Sequence, residues 1–303
     1  MRVELPQRGL HLEYERHGDP AARPLIMVMG LGMQLVAWPA ALIEGLVAAG
    51  YQPIVFDNRD IGLSGCGPLA PTDSMGHSML RYLTHRPVRA AFTLDDMALD
   101  TLALADALEL ERFDLMGVSL GGMVAQKIAF RAPARVRSLV SFMSSAGPRA
   151  APWSKLSVLP KFLSRPPKSA PVEVQIEHFA GLFEVIGCLT DEAEKAAMRV
   201  RLKAALQRAY RPTGTARQLL AVLADPDRSA EVRRISCPVT LIHGERDPLV
   251  RIAAAEHMAR LLPQAHFQRI ERFAHHLPTW SIPVLNDAIG AHLQRAGALN
   301  SPH

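Results

Sequence analysis

Cysteine is scarce. The 303-residue chain has three, Cys66, Cys188 and Cys237. Their odd number and wide spacing argue against a disulfide framework or a cysteine metal site, so packing in the interior is their expected role. The sequence also lacks any run of five like charges, although Lys and Arg exceed Asp and Glu by 34 − 29 = 5. With no basic stripe, no nucleic-acid partner is expected. Nor is there an unbroken apolar run suited to crossing a membrane. Pro24 to Ile43 carries no charge, but Gly30, Gly32, Gln34 and Pro39 divide it into a short strand, a glycine loop and a helix. The first twenty residues are charged throughout and lack the apolar stretch of a secretory leader, so a cytoplasmic protein with no membrane partner is expected. Internal repeats and low-complexity tracts are absent too.

What is present is an ordinary globular composition, 49% hydrophobic and 21% charged. Short apolar runs at Pro24–Met29, Gln52–Phe56, Phe113–Gly117, Val136–Phe142, Pro238–His243 and His266–Ile270 read as strands. Leu10–Arg16 alternates like an edge strand. Helical patterns lie between them, such as Leu94–Leu110, whose acidic residues cluster near its start where the helix end is positive. Strands alternating with helices predict a mostly parallel sheet covered on both faces. The rhythm stops near Gly147 and resumes at Pro238. Residues 148–225 open rich in proline and basic residues, then turn helical, with Met198, Leu202 and Leu206 on one face of Asp191–Tyr210. The expected organisation is a core of residues 1–147 and 226–303 with a helical cap, 148–225, inserted into it.

The strongest chemical signal is Gly117-Val118-Ser119-Leu120-Gly121-Gly122. It follows the strand pattern FDLMG and precedes the helix pattern MVAQKIAFRA. Strand, sharp turn and helix are the setting that a G-x-S-x-G nucleophile needs. A serine in a strained turn tolerates only small neighbours, and the following helix aims its N–H groups at the same spot. A flexible glycine turn is the bland alternative. A serine hydroxyl needs a base, and the base needs an orienting acid. Downstream, His243-Gly244-Glu245-Arg246-Asp247-Pro248 follows one strand, offering Glu245 or Asp247. Glu271-Arg272-Phe273-Ala274-His275-His276 follows another, offering His275 or His276.

With these stretches in view, the sequence resembles the α/β-hydrolase superfamily over nearly its whole length. The elbow, VMGLGMQLVAWP (28 to 39), FDNRDIGLS (56 to 64), FTLDDMALD (92 to 100) and HGERDPLV (243 to 250) carry the resemblance. Within the superfamily it is most similar to the esterase-like branch that includes the aclacinomycin methylesterases. The resemblance implies an eight-stranded, mostly parallel sheet flanked by helices, with a helical cap insertion. It also implies Ser119 as nucleophile, Asp247 as acid, since the family acid lies two residues before the Leu-Val pair, and His275 as base, two residues before Leu277-Pro278. His276 is the runner-up, and Ala274 departs from the usual glycine. Oxyanion donors would be the backbone N–H of Leu120 and, where relatives carry His-Gly and this chain has Met29-Gly30, that of Leu31, with Met33 second. Asp57, Asn58, Arg59 and Asp60 are assigned a structural role beside the site. Met33, Trp38, Met123 and Trp153 are the expected substrate-binding residues, with Phe142, Phe179 and Phe183 as further pocket candidates.

The expected activity is hydrolysis of a small carboxylic ester or acyl substrate through an acyl-enzyme, with no cofactor and no metal. Lactonase, carbon–carbon hydrolase and cofactor-free perhydrolase or haloperoxidase chemistries share the same signature, because pocket and lid decide the substrate. A non-catalytic small-ligand receptor would carry a broken triad. Monomer and homo-oligomer are both compatible with the sequence.

Overall fold

The computed structural model describes residues 1–147, 150, 158, 160, 161, 164, 166 and 170–299. In chain order the strands are β1 (Arg2–Leu5), β2 (Leu10–Arg16), β3 (Arg23–Val28), β4 (Tyr51–Phe56), β5 (Phe113–Val118), β6 (Val136–Phe142), β7 (Val239–Gly244) and β8 (His266–Ile270). The helices are α1 (Ala40–Ala48), α2 (Met75–Leu83), α3 (Leu94–Ala107), α4 (Leu120–Arg131), α5 (Val172–Ile186), α6 (Glu192–Arg208), α7 (Pro212–Ala224), α8 (Ser229–Val232), α9 (Ile252–Leu261) and α10 (Ile282–Leu299). The strands form one eight-stranded sheet in the order β1-β2-β4-β3-β5-β6-β7-β8, and from β4 to β8 all pairings are parallel.

The central strands read as continuous apolar runs because both faces are covered. Ile26 and Val28 of β3 and Leu115 of β5 face Leu94 and Met97 of α3 and Val124 and Ile128 of α4. Their neighbours Leu25, Met27 and Met116 face the opposite way, against Leu42 and Leu46 of α1 and Leu285 and Ile289 of α10. The period of two along each strand thus feeds two separate apolar layers. Asp114, buried within β5, is matched by Arg23 Nη2 at 2.8 Å and by the Ser138 hydroxyl at 2.6 Å. Helix α3 starts where its acidic residues predicted. Thr93 Oγ1 accepts from the Asp96 N–H at 3.1 Å, and the Asp96 carboxylate accepts from the Thr93 N–H at 2.9 Å.

Two elements differ from the sequence reading. Leu10–Arg16 is not the edge, because β1 pairs antiparallel outside it. Only Leu5 of β1 is buried, so four residues carry no legible alternation. Helix α2 was not foreseen. It is capped by Ser74, and it presents Met75, Met79 and Tyr82 to a small cluster that includes Leu219 and Leu223 of α7. The cysteines also divide: Cys237 is buried, with its thiol pushed up to about 12 by burial, whereas Cys188 is exposed and Cys66 half-buried. Among the described residues no helix is long and apolar enough to cross a membrane.

The order of the strands decides where a site can form. From β3 the chain moves outward to β4, then returns to lay β5 on the other side of β3. The loops leaving the carboxyl ends of β3 and β5 therefore diverge from adjacent strands and leave a crevice between them. Helices α5, α6 and α7, between β6 and β7, sit over this end. α5 and α6 pack on each other through Ile176, Ala180, Met198 and Leu202, a cluster separate from the two sheet layers.

Beneath the sheet's far end, His292 of α10 shares a hydrogen bond with Thr240 Oγ1 at 2.9 Å. Burial first, then nearby Arg295, Arg23 and His266, push it down to about 3 from 6.5. The unfolded chain therefore takes up a proton that the folded state refuses between these values. Stability is fully present above about pH 6.5 and is lost as pH falls through this window. Lowering the pH from 7 to 5 should cost about 2 kcal/mol from this residue alone, and His292→Gln should flatten that part of the denaturant-midpoint profile.

Candidate active site

Ser119 occupies the turn between β5 and α4 with φ +56° and ψ −118°, a conformation that an ordinary side chain resists. Its neighbours make the turn sterically feasible. A methyl group at Gly117 would lie 2.2 Å from the Gly121 carbonyl oxygen, one at Gly121 2.0 Å from that of Val28, and one at Gly122 2.6 Å from Ser144 Cβ. The glycines are required for close approach of strand, turn and helix, not for flexibility. The Ser119 carbonyl is held by the Ser144 hydroxyl at 2.8 Å, and its N–H donates to Phe142 O at 2.8 Å.

Three side chains from distant parts of the chain meet here. His275 Nε2 is 3.0 Å from Ser119 Oγ, and His275 Nδ1 is 2.7 Å from Asp247 Oδ2. Asp247 is itself fixed, since its Oδ1 accepts from the N–H groups of Leu249 at 2.9 Å and Val250 at 2.8 Å. An ionised carboxylate here makes His275 carry its proton on Nδ1, which leaves the Nε2 lone pair facing the serine hydroxyl. Glu245, the other candidate acid, is exposed. His243 backs the acid: it shares a 2.6 Å hydrogen bond with Val250 O, lies 3.5 Å from Asp247 Oδ2, and burial holds its pKa below the usual histidine value.

His276 is equally buried but belongs to another environment. It stacks on the Phe273 ring at a centroid separation of 6.2 Å, and neither ring nitrogen has a hydrogen-bond partner among the described residues. Burial, then the nearby Arg201 and His275, push it down to about 4. The backbone of His275 is pinned separately, by its N–H to Ile186 O at the end of α5 at 3.0 Å.

Leu31 and Leu120 line the cavity together with Ser119, and among the described residues neither backbone N–H is spent on a carbonyl. Met33, the second candidate, already donates its N–H to Gly30 O at 3.2 Å. The Asp57–Asp60 segment orders this loop. Asp57 Oδ1 accepts from the Leu35 N–H at 2.7 Å, and Asn58 Nδ2 donates to Met29 O at 3.0 Å. The same segment receives three arginines from α6, α7 and their connection: Arg208 on Asp57 at 2.7 Å, Arg217 on Asp60 at 2.9 Å, and Arg211 on Ser64 O at 2.8 Å. Gln218 completes the join, accepting from the Gly32 N–H at 2.9 Å and donating to Arg59 O at 3.2 Å. Nothing in the local pattern around these arginines or Gln218 marks them; only the acidic segment they bind was visible beforehand.

Above Ser119 lies a cavity of about 230 Å³, mostly apolar, walled by the loop after β3, by α5, α6 and α7, and by His275 and His276. Met33, Met123, Phe179 and Phe183 line it. Trp38 does not. It is buried with Met29, Leu35 and Leu42 on the α1–α10 side of the sheet, just after the single helical turn Leu35–Ala37. Phe142 is likewise in that layer, 5.2 Å from the Phe273 ring. Trp153 lies outside the described residues. Among the described residues no cluster of three or more His, Cys, Asp or Glu side chains could hold a metal.

Residues 29–284 match the model of the alpha/beta hydrolase family, and the chain belongs to that family. It is 28% identical over 306 aligned positions to rhodomycin D methylesterase of Streptomyces peucetius, covering 92% of this chain and 93% of that one. It is 33% identical over 203 positions to the pimeloyl-[acyl-carrier protein] methyl ester esterase of Nitrosomonas europaea, covering 62% and 75%. Among solved structures it superposes on a carboxylesterase of Nitrososphaera gargenis with a TM-score of 0.72 at 16% identity, over 98% and 99% of the two chains. A meta-cleavage product hydrolase of Pseudomonas fluorescens gives 0.71 at 18%, over 95% and 96%. At these identities the structural likenesses show the shared fold. The chain is thus an enzyme, an α/β-fold hydrolase.

The glycine contacts give a test of the elbow. Gly121→Ala should cost about 3 kcal/mol of stability through overpacking against Val28. Gly76→Ala in α2, where an added methyl meets nothing within 4 Å, should leave the melting temperature unchanged or raised. Equal melting temperatures for the two variants would contradict the tight elbow.

Proposed function

We propose that this α/β hydrolase cleaves carboxylic esters with Ser119 as nucleophile, His275 as general base and acid, and Asp247 as the acid that orients it. The observation that carries the reading is the unbroken hydrogen-bond chain from Asp247 through His275 to Ser119, opening into a closed-over apolar cavity. The two relatives named above are methyl ester esterases by name, which supports the same bond class.

The geometry accounts for each step. Ser119 Oγ attacks the ester carbonyl as His275 Nε2 takes its proton, and Asp247 stabilises the imidazolium that forms. The carbonyl oxygen, now negative, is met by the N–H groups of Leu31 and Leu120, each worth on the order of 3 kcal/mol in such a position. His275 then gives its proton to the departing alcohol, leaving an acyl-enzyme. Water enters, His275 takes a proton from it, the second tetrahedral species forms in the same oxyanion site, and its collapse frees the acid and restores the serine. No group beyond these side chains and amides is called on.

Residues 148–225 act as a lid that shapes the acyl or alcohol subsite. Support comes from Phe179 and Phe183 of α5, Met198 and Leu202 of α6 and Leu219 of α7, all at the cavity wall. The lid is fastened through the arginine contacts to the Asp57–Ser64 segment rather than through the sheet.

Two measurements test the reading. Ser119→Ala should lower p-nitrophenyl butyrate turnover at least about 10⁴-fold and abolish labelling by a fluorophosphonate probe, with the melting temperature near wild type. His275→Ala should lose far more kcat than His276→Ala, and the reverse order would move the base by one residue. For the lid, Phe179→Ala should shift the preferred chain length across a series of p-nitrophenyl esters towards longer acyl groups. An unchanged profile would remove the lid from substrate selection.

A further inference from the structure

The arginines of α6 and α7 follow a rule with one exception. Arg199 forms a fork with Glu177 at 2.8 and 2.9 Å and reaches Glu184, Arg208 binds Asp57, and Arg217 binds Asp60. Arg201 of α6 instead lines the cavity above Ser119, half-buried, and among the described residues it makes no hydrogen bond or ion pair. The acid whose charge it feels is Glu194, whose carboxylate is engaged elsewhere, accepting from the Thr279 N–H at 2.9 and 3.1 Å. Burial pushes the guanidinium down from its ordinary value, so its charge stands partly desolvated in an apolar cavity. A charge in that position costs stability unless something completes it.

A second polar group on the same wall is also incomplete. His276 lines the cavity, and both of its ring nitrogens lack a partner. Both residues wall the same cavity, and the Arg201 charge is among the causes that push the His276 pKa down. A neutral imidazole offers one N–H donor. Arg211 lines the cavity too, but it donates to Ser64 O at 2.8 Å. Arg201 and His276 thus stand on the mostly apolar wall as one open cationic fork and one neutral donor, neither with a hydrogen-bond partner among the described residues.

We propose that Arg201 and His276 bind a carboxylate carried by the substrate, so that the enzyme hydrolyses esters bearing a second, free carboxyl group, such as monoesters of dicarboxylic acids or acyl esters of hydroxy acids. This rests on the ester-hydrolase reading above. The guanidinium fork matches two carboxylate oxygens, and the imidazole N–H supplies a further hydrogen bond. Geometry favours the class: with Arg211, the other guanidinium on the wall, engaged at Ser64 O, Arg201 is the open fork, and one fork beside one imidazole N–H suits the planar pair of oxygens of a carboxylate. A neutral ester of the same shape leaves both polar groups empty and so forfeits the discrimination that buried unpaired groups enforce.

The test uses matched ester pairs in which only the carboxylate differs: mono-p-nitrophenyl glutarate against p-nitrophenyl butyrate, and 4-acetoxybenzoate against 4-tolyl acetate. In at least one pair, wild-type kcat/KM for the charged ester should exceed that for the neutral one by about tenfold or more, mostly through KM. Arg201→Gln should lower that ratio by about tenfold, and Arg201→Lys, which keeps the charge but not the fork, should recover part of it. Charged esters no better than neutral ones in both pairs, or a ratio unmoved in Arg201→Gln, would overturn the proposal. Glutarate binding to Ser119→Ala, measured by calorimetry, reads the site without turnover, and adding Arg201→Gln should weaken it about tenfold. If no ester is cleaved yet glutarate binding depends on Arg201, the hydrolase reading fails and the carboxylate site stands. If esters are cleaved but neither ratio nor binding responds to Arg201, the carboxylate site alone fails.

Discussion

A serine held at positive φ between a strand and a helix is the constraint from which the rest of this structure follows. The turn places the hydroxyl at the sheet's carboxyl edge, but only if strand, loop and helix backbones approach more closely than any side chain permits. Gly117, Gly121 and Gly122 satisfy that requirement against Gly121, Val28 and Ser144. Because Gly121 rests on the end of β3, the elbow and the loop after β3 are built as one unit. Leu31 and Leu120, which follow two adjacent strands, consequently line the same cavity as Ser119.

The second organising feature is the acidic segment after β4. Asp57 is completely buried, yet it carries contacts in two directions: inward to the Leu35 N–H, and outward to Arg208 of α6. Asp60 and Ser64 O hold Arg217 and Arg211 in the same way. The loop after β3 and the overlying helices thus share a single charged seam, and a shift of one is felt by the other through charge-assisted hydrogen bonds. At the far end of the helical segment Arg228 does the corresponding work. It is fully buried and binds Asp225, Gln126 Oε1 at 2.7 Å and Ser145 O at 2.9 Å, fixing the chain where it returns towards the sheet.

Between these two anchors the cavity is mostly apolar, and Gln34 and Arg211 at its wall are tied to backbone carbonyls, which leaves two contrasting pairs of polar groups. Ser119 and His275 are satisfied by each other and by Asp247. Arg201 and His276 are left open towards the space a substrate would fill. The adjacent histidines show how burial and partners separate identical side chains. One is clamped by a carboxylate and a hydroxyl. The other sits on an aromatic face beside a cation and is held neutral.

Much of this was legible in the residues themselves. Apolar runs of strand length, the acidic start of α3, and the glycine–serine turn between a strand and a helix are local patterns, and each is set by local sterics, the helix-end charge or the period of the backbone. Family likeness then favoured Asp247 over Glu245 and His275 over His276, choices that local pattern left open. The short outer strand β1, with one buried residue in four, and the nine-residue helix α2, whose Met75, Met79 and Tyr82 lie at i, i+4 and i+7, escaped because what such short elements pack against is set elsewhere in the chain. Trp38 was misjudged as a pocket residue for a related reason: the direction a side chain takes after a glycine turn depends on what lies behind it. The pairing of Arg208, Arg211 and Arg217 with a segment some 150 residues away, and the solitary place of Arg201 among them, could be decided only by tertiary structure. A guanidinium looks the same in sequence whether it meets a carboxylate, water or an empty cavity, and only the folded arrangement of elements distant in the chain says which.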